Sequence, residues 1–124
     1  GHSDYLVIAD GNFPAESIGK ECKVIRMDGH NIPEVLDAIL RLFPLDSYVA
    51  HPVSLMEVMK GDNVKTPIWD EYRLIVKEYD TRGENAFENI ERFSFYEKSK
   101  KAYAIIATGE KALYANIILQ KGVI

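Results

Sequence analysis

The sequence predicts an α/β fold: a single compact domain with a largely buried sheet flanked by helices. Three observations carry that expectation. Tyr5-Leu6-Val7-Ile8-Ala9 is an unbroken apolar run closed by Asp10-Gly11-Asn12, the pattern of a strand buried on both faces. Ile32, Val35, Leu36, Ile39, Leu42 and Phe43 recur at helical spacing and give one apolar face. Strand-like and helix-like segments then alternate to the C-terminus. No repeat, low-complexity tract or long linker divides the 124 residues, so one domain is expected over 1–124, long enough to bury a core.

The elements follow in order. After the first strand, Asn12-Phe13-Pro14 leads into a loop, and Cys22-Lys23-Val24-Ile25-Arg26 reads as a second strand ended by Asp28-Gly29. Asn31 caps the first clear helix, Pro33 lies in its first turn and Glu34 completes a capping box; Pro44 stops it. Residues 53–58 read as a strand and residues 60–63 as a turn. A second helix opens at Thr66-Pro67, with Asp70 and Glu71 near its positive end, and runs to Tyr79. Ser94-Phe95-Tyr96-Glu97 has capping-box spacing and predicts a short helix to Lys101. Residues 103–107 and 113–119 read as two strands joined around Gly109.

Composition narrows the function. The net charge is −4, and the densest basic cluster, Lys98, Lys100 and Lys101, falls on a stretch that reads as a solvated helix face. Neither nucleic acid nor an anionic membrane is expected as a partner. No apolar run approaches the roughly 20 residues that span a bilayer. Cys22 is the single cysteine, which suits a reducing cytoplasm and reads as a buried small hydrophobe. A Gly-rich phosphate loop, a G-x-S-x-G elbow, H-E-x-x-H and paired zinc cysteines are all missing, so neither metal nor organic cofactor is expected.

The chemistry-bearing residues point to a neutral sugar. On an extended strand, Tyr114 and Asn116 share one face about 7 Å apart, a phenol and a carboxamide able to grip neighbouring hydroxyls. Asp10 supplies acceptors and Arg92 fixed donors. Opening a cyclic hemiacetal needs a proton delivered to the ring oxygen and one removed from the anomeric hydroxyl, and His2 titrates in the range where either role is available. Plainer readings stand beside these. His2 is a chain-start residue, Asp10 a turn former, Arg92 a surface ion-pair partner, and Tyr114 and Asn116 edge residues. Trp69 reads as core, and His30 and His51 as surface residues in loops.

An ordered set of segments runs the length of the chain. It comprises Gly1-His2-Ser3-Asp4, Asp10 with Asn12-Phe13-Pro14, residues 25–29, residues 44–48, Glu91-Arg92-Phe93-Ser94-Phe95-Tyr96-Glu97, Ala107-Thr108-Gly109-Glu110, Tyr114-Ala115-Asn116 and residues 121–123. In that order they resemble the ribose pyranase and L-fucose mutarotase family. The resemblance implies a sugar isomerase with His2 as catalytic acid and a substrate pocket of Asp10, Arg92, Tyr114, Ala115 and Asn116. It implies a free monosaccharide as partner and a ring-shaped homo-oligomer, a decamer in known cases. The ribose branch tends to carry histidine where Arg92 stands, so L-fucose is the expected sugar; a D-ribose pyranase and a non-catalytic monosaccharide-binding protein are the alternatives. Family members carry a further, largely helical segment ahead of the Gly-His pair. Met27 stands where the family has a small residue, a packing change. Spacing adds one constraint. Were residues 2–10 one straight strand, His2 and Asp10 would lie about 26 Å apart. The chain must therefore turn near Ser3-Asp4, or the site must combine residues of adjacent subunits.

Overall fold

The computed structural model describes residues 4–123. Its elements are β1 (Tyr5–Ala9), α1 (Ala15–Ile18), β2 (Lys23–Met27), α2 (Ile32–Leu42), β3 (Val53–Met56), α3 (Pro67–Tyr79), β4 (Phe87–Ile90), α4 (Arg92–Ser99), β5 (Ala104–Thr108) and β6 (Ile117–Gln120). Six strands form one sheet in the order β2-β5-β1-β6-β3-β4. β2, β5 and β1 pair in parallel, as do β3 and β4, and β6 runs antiparallel between β1 and β3. Five strands therefore point the same way, and β6 lies against them in the middle.

Alternation along the strands splits the core into two layers. Leu6, Ile8, Val53, Leu55, Ala104, Ile106, Ile117 and Leu119 face α2 and α3. Val7, Ala9, Ile105, Ala107, Ile118 and Met56 face the opposite way, with Ala15 of α1 and Phe95 of α4. The central strands are buried as the apolar runs predict, whereas the outer strand β2 keeps half-open positions. Trp69 is core, as expected. Among the described residues no helix is long and apolar enough to cross a membrane.

α2 follows the sequence closely. Asn31 Oδ1 accepts the Glu34 N–H at 3.0 Å and Glu34 Oε1 accepts the Asn31 N–H at 2.9 Å, the reciprocal capping box. Ile32, Val35, Leu36, Ile39 and Leu40 are its buried stripe. Each such side chain contributes about 1.5–3 kcal/mol on burial, so the stripe rather than the cap holds the helix.

Several expectations are corrected. The strand expected over 113–119 begins only at Ile117, because Tyr114 sits at φ +55°, a left-handed conformation that breaks an extended ladder. α4 opens at Arg92, not Ser94: the Glu91 carboxylate accepts the Phe93 and Ser94 N–H groups at 2.8 and 3.1 Å. That shift places Arg92 in the first turn, directly after β4. Lys98 is not on a solvated face. Its Nζ donates to Ser54 Oγ at 2.9 Å, pairs with Glu88 at 3.2 Å and lies 4.8 Å from the Tyr5 ring centre. Cys22 is partly open rather than buried and precedes β2 instead of starting it. β4, paired with β3, carries too little alternation in Phe87-Glu88-Asn89-Ile90 to stand out in the sequence.

Candidate functional site

In open α/β sheets, ligands collect beyond the C-terminal strand ends where the winding direction switches. Here β1 leads outward to β2 on one side, while β3 and β4 lie on the other, with β6 filling the gap. The end of β1 gives Asp10, the end of β3 gives Met56, and the residue after Glu91 at the end of β4 gives Arg92. The antiparallel β6 starts at this same end, so the segment leading into it, Leu113 to Asn116, folds over the crevice. The pocket so formed is lined by Met56, Met59, Arg92, Tyr96, Leu113, Tyr114 and Asn116, with a volume of about 170 Å³. Drug-sized ligands usually occupy roughly 300–1,000 Å³, so this one suits a smaller molecule.

Asn116 is almost fully buried, and its Oδ1 accepts the Asp10 N–H at 2.7 Å. That bond fixes the amide orientation, because the backbone N–H requires the oxygen. The amide nitrogen has no partner among the described residues and is free to donate to a ligand. Arg92 lies 5.8 Å from the Tyr96 ring centre, one helical turn on, and its Nη1 is 3.5 Å from Met59 Sδ. It forms no ion pair among the described residues, and apart from the Nη1 bond to Met59 Sδ its donors are uncommitted. This differs from the plain reading of a surface ion-pair partner.

Tyr114 is the one residue other than glycine with positive φ among the described residues. Such a conformation costs about 1–3 kcal/mol and persists only where the surroundings enforce it. Trp69 Nε1 donates to the Tyr114 carbonyl at 2.8 Å. The Tyr114 hydroxyl donates to Asp62 Oδ2 and accepts the Met59 N–H at 3.2 Å. The hydrogen bond to the Asp62 carboxylate raises the phenol above its ordinary pKa. Ala115 is fully buried with its side chain in the core, and its carbonyl accepts the Tyr72 hydroxyl at 2.6 Å.

Asp10 adjoins the pocket through Asn116 without lining it. Burial raises its carboxyl above the ordinary aspartate value; the Asn12 and Phe13 N–H groups pull the other way, and the Glu110 charge adds to the rise. Of the expected site residues, Arg92, Tyr114 and Asn116 meet in one pocket, Asp10 stands beside it and Ala115 turns away. His2 lies outside the described residues. Met56, Met59, Leu113, Tyr96 and Asp62 were not expected. Tyr96 stands at i+4 from Arg92, a pairing that shows only once α4 is seen to open at Arg92. No group of three or more His, Cys, Asp or Glu residues among the described residues is arranged to hold a metal.

The whole chain, residues 1–124, matches the RbsD / FucU transport protein family. The chain belongs to the RbsD/FucU family. Within that family, fucose mutarotase of Mus musculus is 49% identical across 98% of this chain and 81% of its own length. Among solved structures, FucU from Bifidobacterium longum superposes with a TM-score of 0.96 at 62% identity, covering 100% of this chain and 88% of that one. The fucose mutarotase of Streptococcus pneumoniae in complex with L-fucose gives 0.91 at 51% identity, covering 100% and 86%. The six-stranded sheet order is therefore that of an RbsD/FucU fold.

Proposed function

We propose that this chain is an L-fucose mutarotase, an isomerase that exchanges the α and β anomers through the open-chain aldehyde. The observation that carries the reading is the monosaccharide-scale pocket in which Arg92, Tyr114 and Asn116 converge, in a chain that shares half its residues with fucose mutarotases. Arg92 and the Asn116 amide nitrogen supply donors, the Tyr114 oxygen an acceptor, and the Tyr96 ring a wall for the sugar's C–H face. Asp10 holds Asn116 in place through its backbone and offers its carboxyl to a hydroxyl at the pocket margin. Ala115 acts as a spacer whose carbonyl anchors the turn to Tyr72.

In this reading His2 delivers the proton to the ring oxygen. Mutarotation already proceeds in water, so one positioned acid, worth about 10²–10⁴-fold, supplies much of what is required. The account includes a single domain over 1–124, cytoplasmic residence and a ring of identical copies in which His2 of one copy serves the pocket of the next. Were residues 2–10 one straight strand, His2 and Asp10 of one copy would lie about 26 Å apart, a span that such sharing removes.

The test is direct. His2→Ala is expected to lose most of the L-fucose exchange rate while sugar binding stays measurable by NMR line broadening. Retention of the full rate removes His2 from the mechanism. Saturable binding with no acceleration in the parent protein supports the binding-protein alternative instead.

A further inference from the structure

The Tyr114 hydroxyl is committed on two sides before any sugar arrives. It carries one proton, which it donates to Asp62 Oδ2, and it accepts the Met59 N–H. A phenol oxygen keeps acceptor capacity after one such bond. Toward a sugar in the pocket this hydroxyl can therefore only accept. The backbone that carries it is held too, at φ +55° with its carbonyl bonded to Trp69. Asp62 itself is exposed, in the irregular segment between β3 and α3. Its carboxylate forms no ion pair among the described residues, so no cation competes for it. Met59 and Asp62 come from one turn, closed by the Asp62 N–H donating to the Met59 carbonyl at 3.0 Å. The two partners of the Tyr114 hydroxyl thus arrive as a unit.

We propose that Asp62 is a positioning residue for the sugar chemistry, orienting the Tyr114 hydroxyl as an acceptor and taking up its proton when the anomeric hydroxyl gives one to Tyr114. The inference rests on the mutarotase reading. In ring opening, the O1 proton passes to Tyr114 Oη while the phenol proton passes to Asp62. The C1–O1 bond becomes a carbonyl, the C1–O5 bond breaks, and its electron pair stays on O5, which takes a proton from the acid. Ring closure on the other carbonyl face reverses every transfer, so no proton is gained or lost overall. Tyr114 stays a neutral phenol throughout, in keeping with a phenol raised above its ordinary pKa.

The experiment measures anomer exchange against L-fucose concentration for the parent chain, Asp62→Asn, Asp62→Glu, Tyr114→Phe and the Asp62→Asn/Tyr114→Phe pair. Asparagine keeps an oxygen for the Tyr114 hydroxyl but cannot take its proton. Asp62→Asn is expected to lower kcat by about 10²–10⁴-fold with KM unchanged, and Asp62→Glu to recover part of it. The double variant is expected to be no slower than Tyr114→Phe alone, as for groups acting in one relay. Parental kcat in Asp62→Asn overturns the inference, as does a raised KM with kcat intact, or losses that multiply in the double variant. A parent chain that does not accelerate L-fucose overturns the mutarotase reading and this inference with it. An active parent with an equally active Asp62→Asn overturns the inference alone.

Discussion

At Tyr114 the chain holds a left-handed tyrosine against its intrinsic preference, and Trp69 supplies the bond that keeps it there. Trp69→Phe removes the Nε1–H donor while keeping an aromatic ring. It is expected to lower stability by about 1 kcal/mol from the lost hydrogen bond, and to weaken L-fucose binding as the turn relaxes. Denaturant unfolding and a sugar titration read the two effects separately. Asp10 presents the opposite trade. Its carboxyl is raised by burial, so the native state binds the proton more tightly than the unfolded chain does. The stability it contributes is present below the ordinary aspartate pKa and is lost as pH rises through the higher native value. Asp10→Asn removes that loss and keeps an oxygen for the Asn12 N–H, which bonds Asp10 Oδ1 at 3.0 Å. The variant is expected to melt above the parent at pH 7, with the gap closing in acid, while anomer exchange slows. A gap that persists unchanged in acid contradicts the assignment.

Elements with strong local signals were legible from sequence, and those that tertiary contacts define were not. α2 can be read to within a residue because its cap, the front of its apolar stripe and the stop at Pro44 all agree, although Leu42, read as part of that stripe, is 73% exposed. Asn31→Ala is accordingly expected to cost about 1 kcal/mol in a thermal or urea melt. Sequence misplaces the start of α4, because Ser94…Glu97 has capping-box spacing while the operating cap is Glu91, a rarer capping residue. Its two N–H bonds hold the Glu91 carboxyl below the usual range, so the cap is present above the ordinary glutamate pKa and fades as pH falls through the lower native value. Glu91→Ala is expected to fray the first turn of α4 and raise KM for L-fucose, since Arg92 loses its fixed origin. An unchanged KM contradicts that coupling. The Leu113–Asn116 segment reads as strand because its residues suit a strand in composition. The left-handed turn is imposed by Trp69, Met59 and Asp62, all distant in sequence.

For the whole molecule, the site is a consequence of topology. Parallel strands deliver Asp10, Met56 and Arg92 to one end, and the antiparallel β6 begins where they finish, bringing Tyr114 and Asn116 to the same place. Tyr114 and Asn116 can be singled out from the sequence because their polar chemistry stands apart from an apolar stretch, and Arg92 through the family-like Glu91–Glu97 segment. Met56, Met59 and Leu113 could not, because an apolar side chain lining a pocket looks like one lining a core. The measurement that bears most directly on the central claim is NMR saturation transfer between the α and β anomeric protons of L-fucose at neutral pH, with D-ribose run alongside. The account predicts that the protein speeds L-fucose exchange well above the rate in buffer, and does so more than for D-ribose. Exchange of L-fucose at the buffer rate contradicts it.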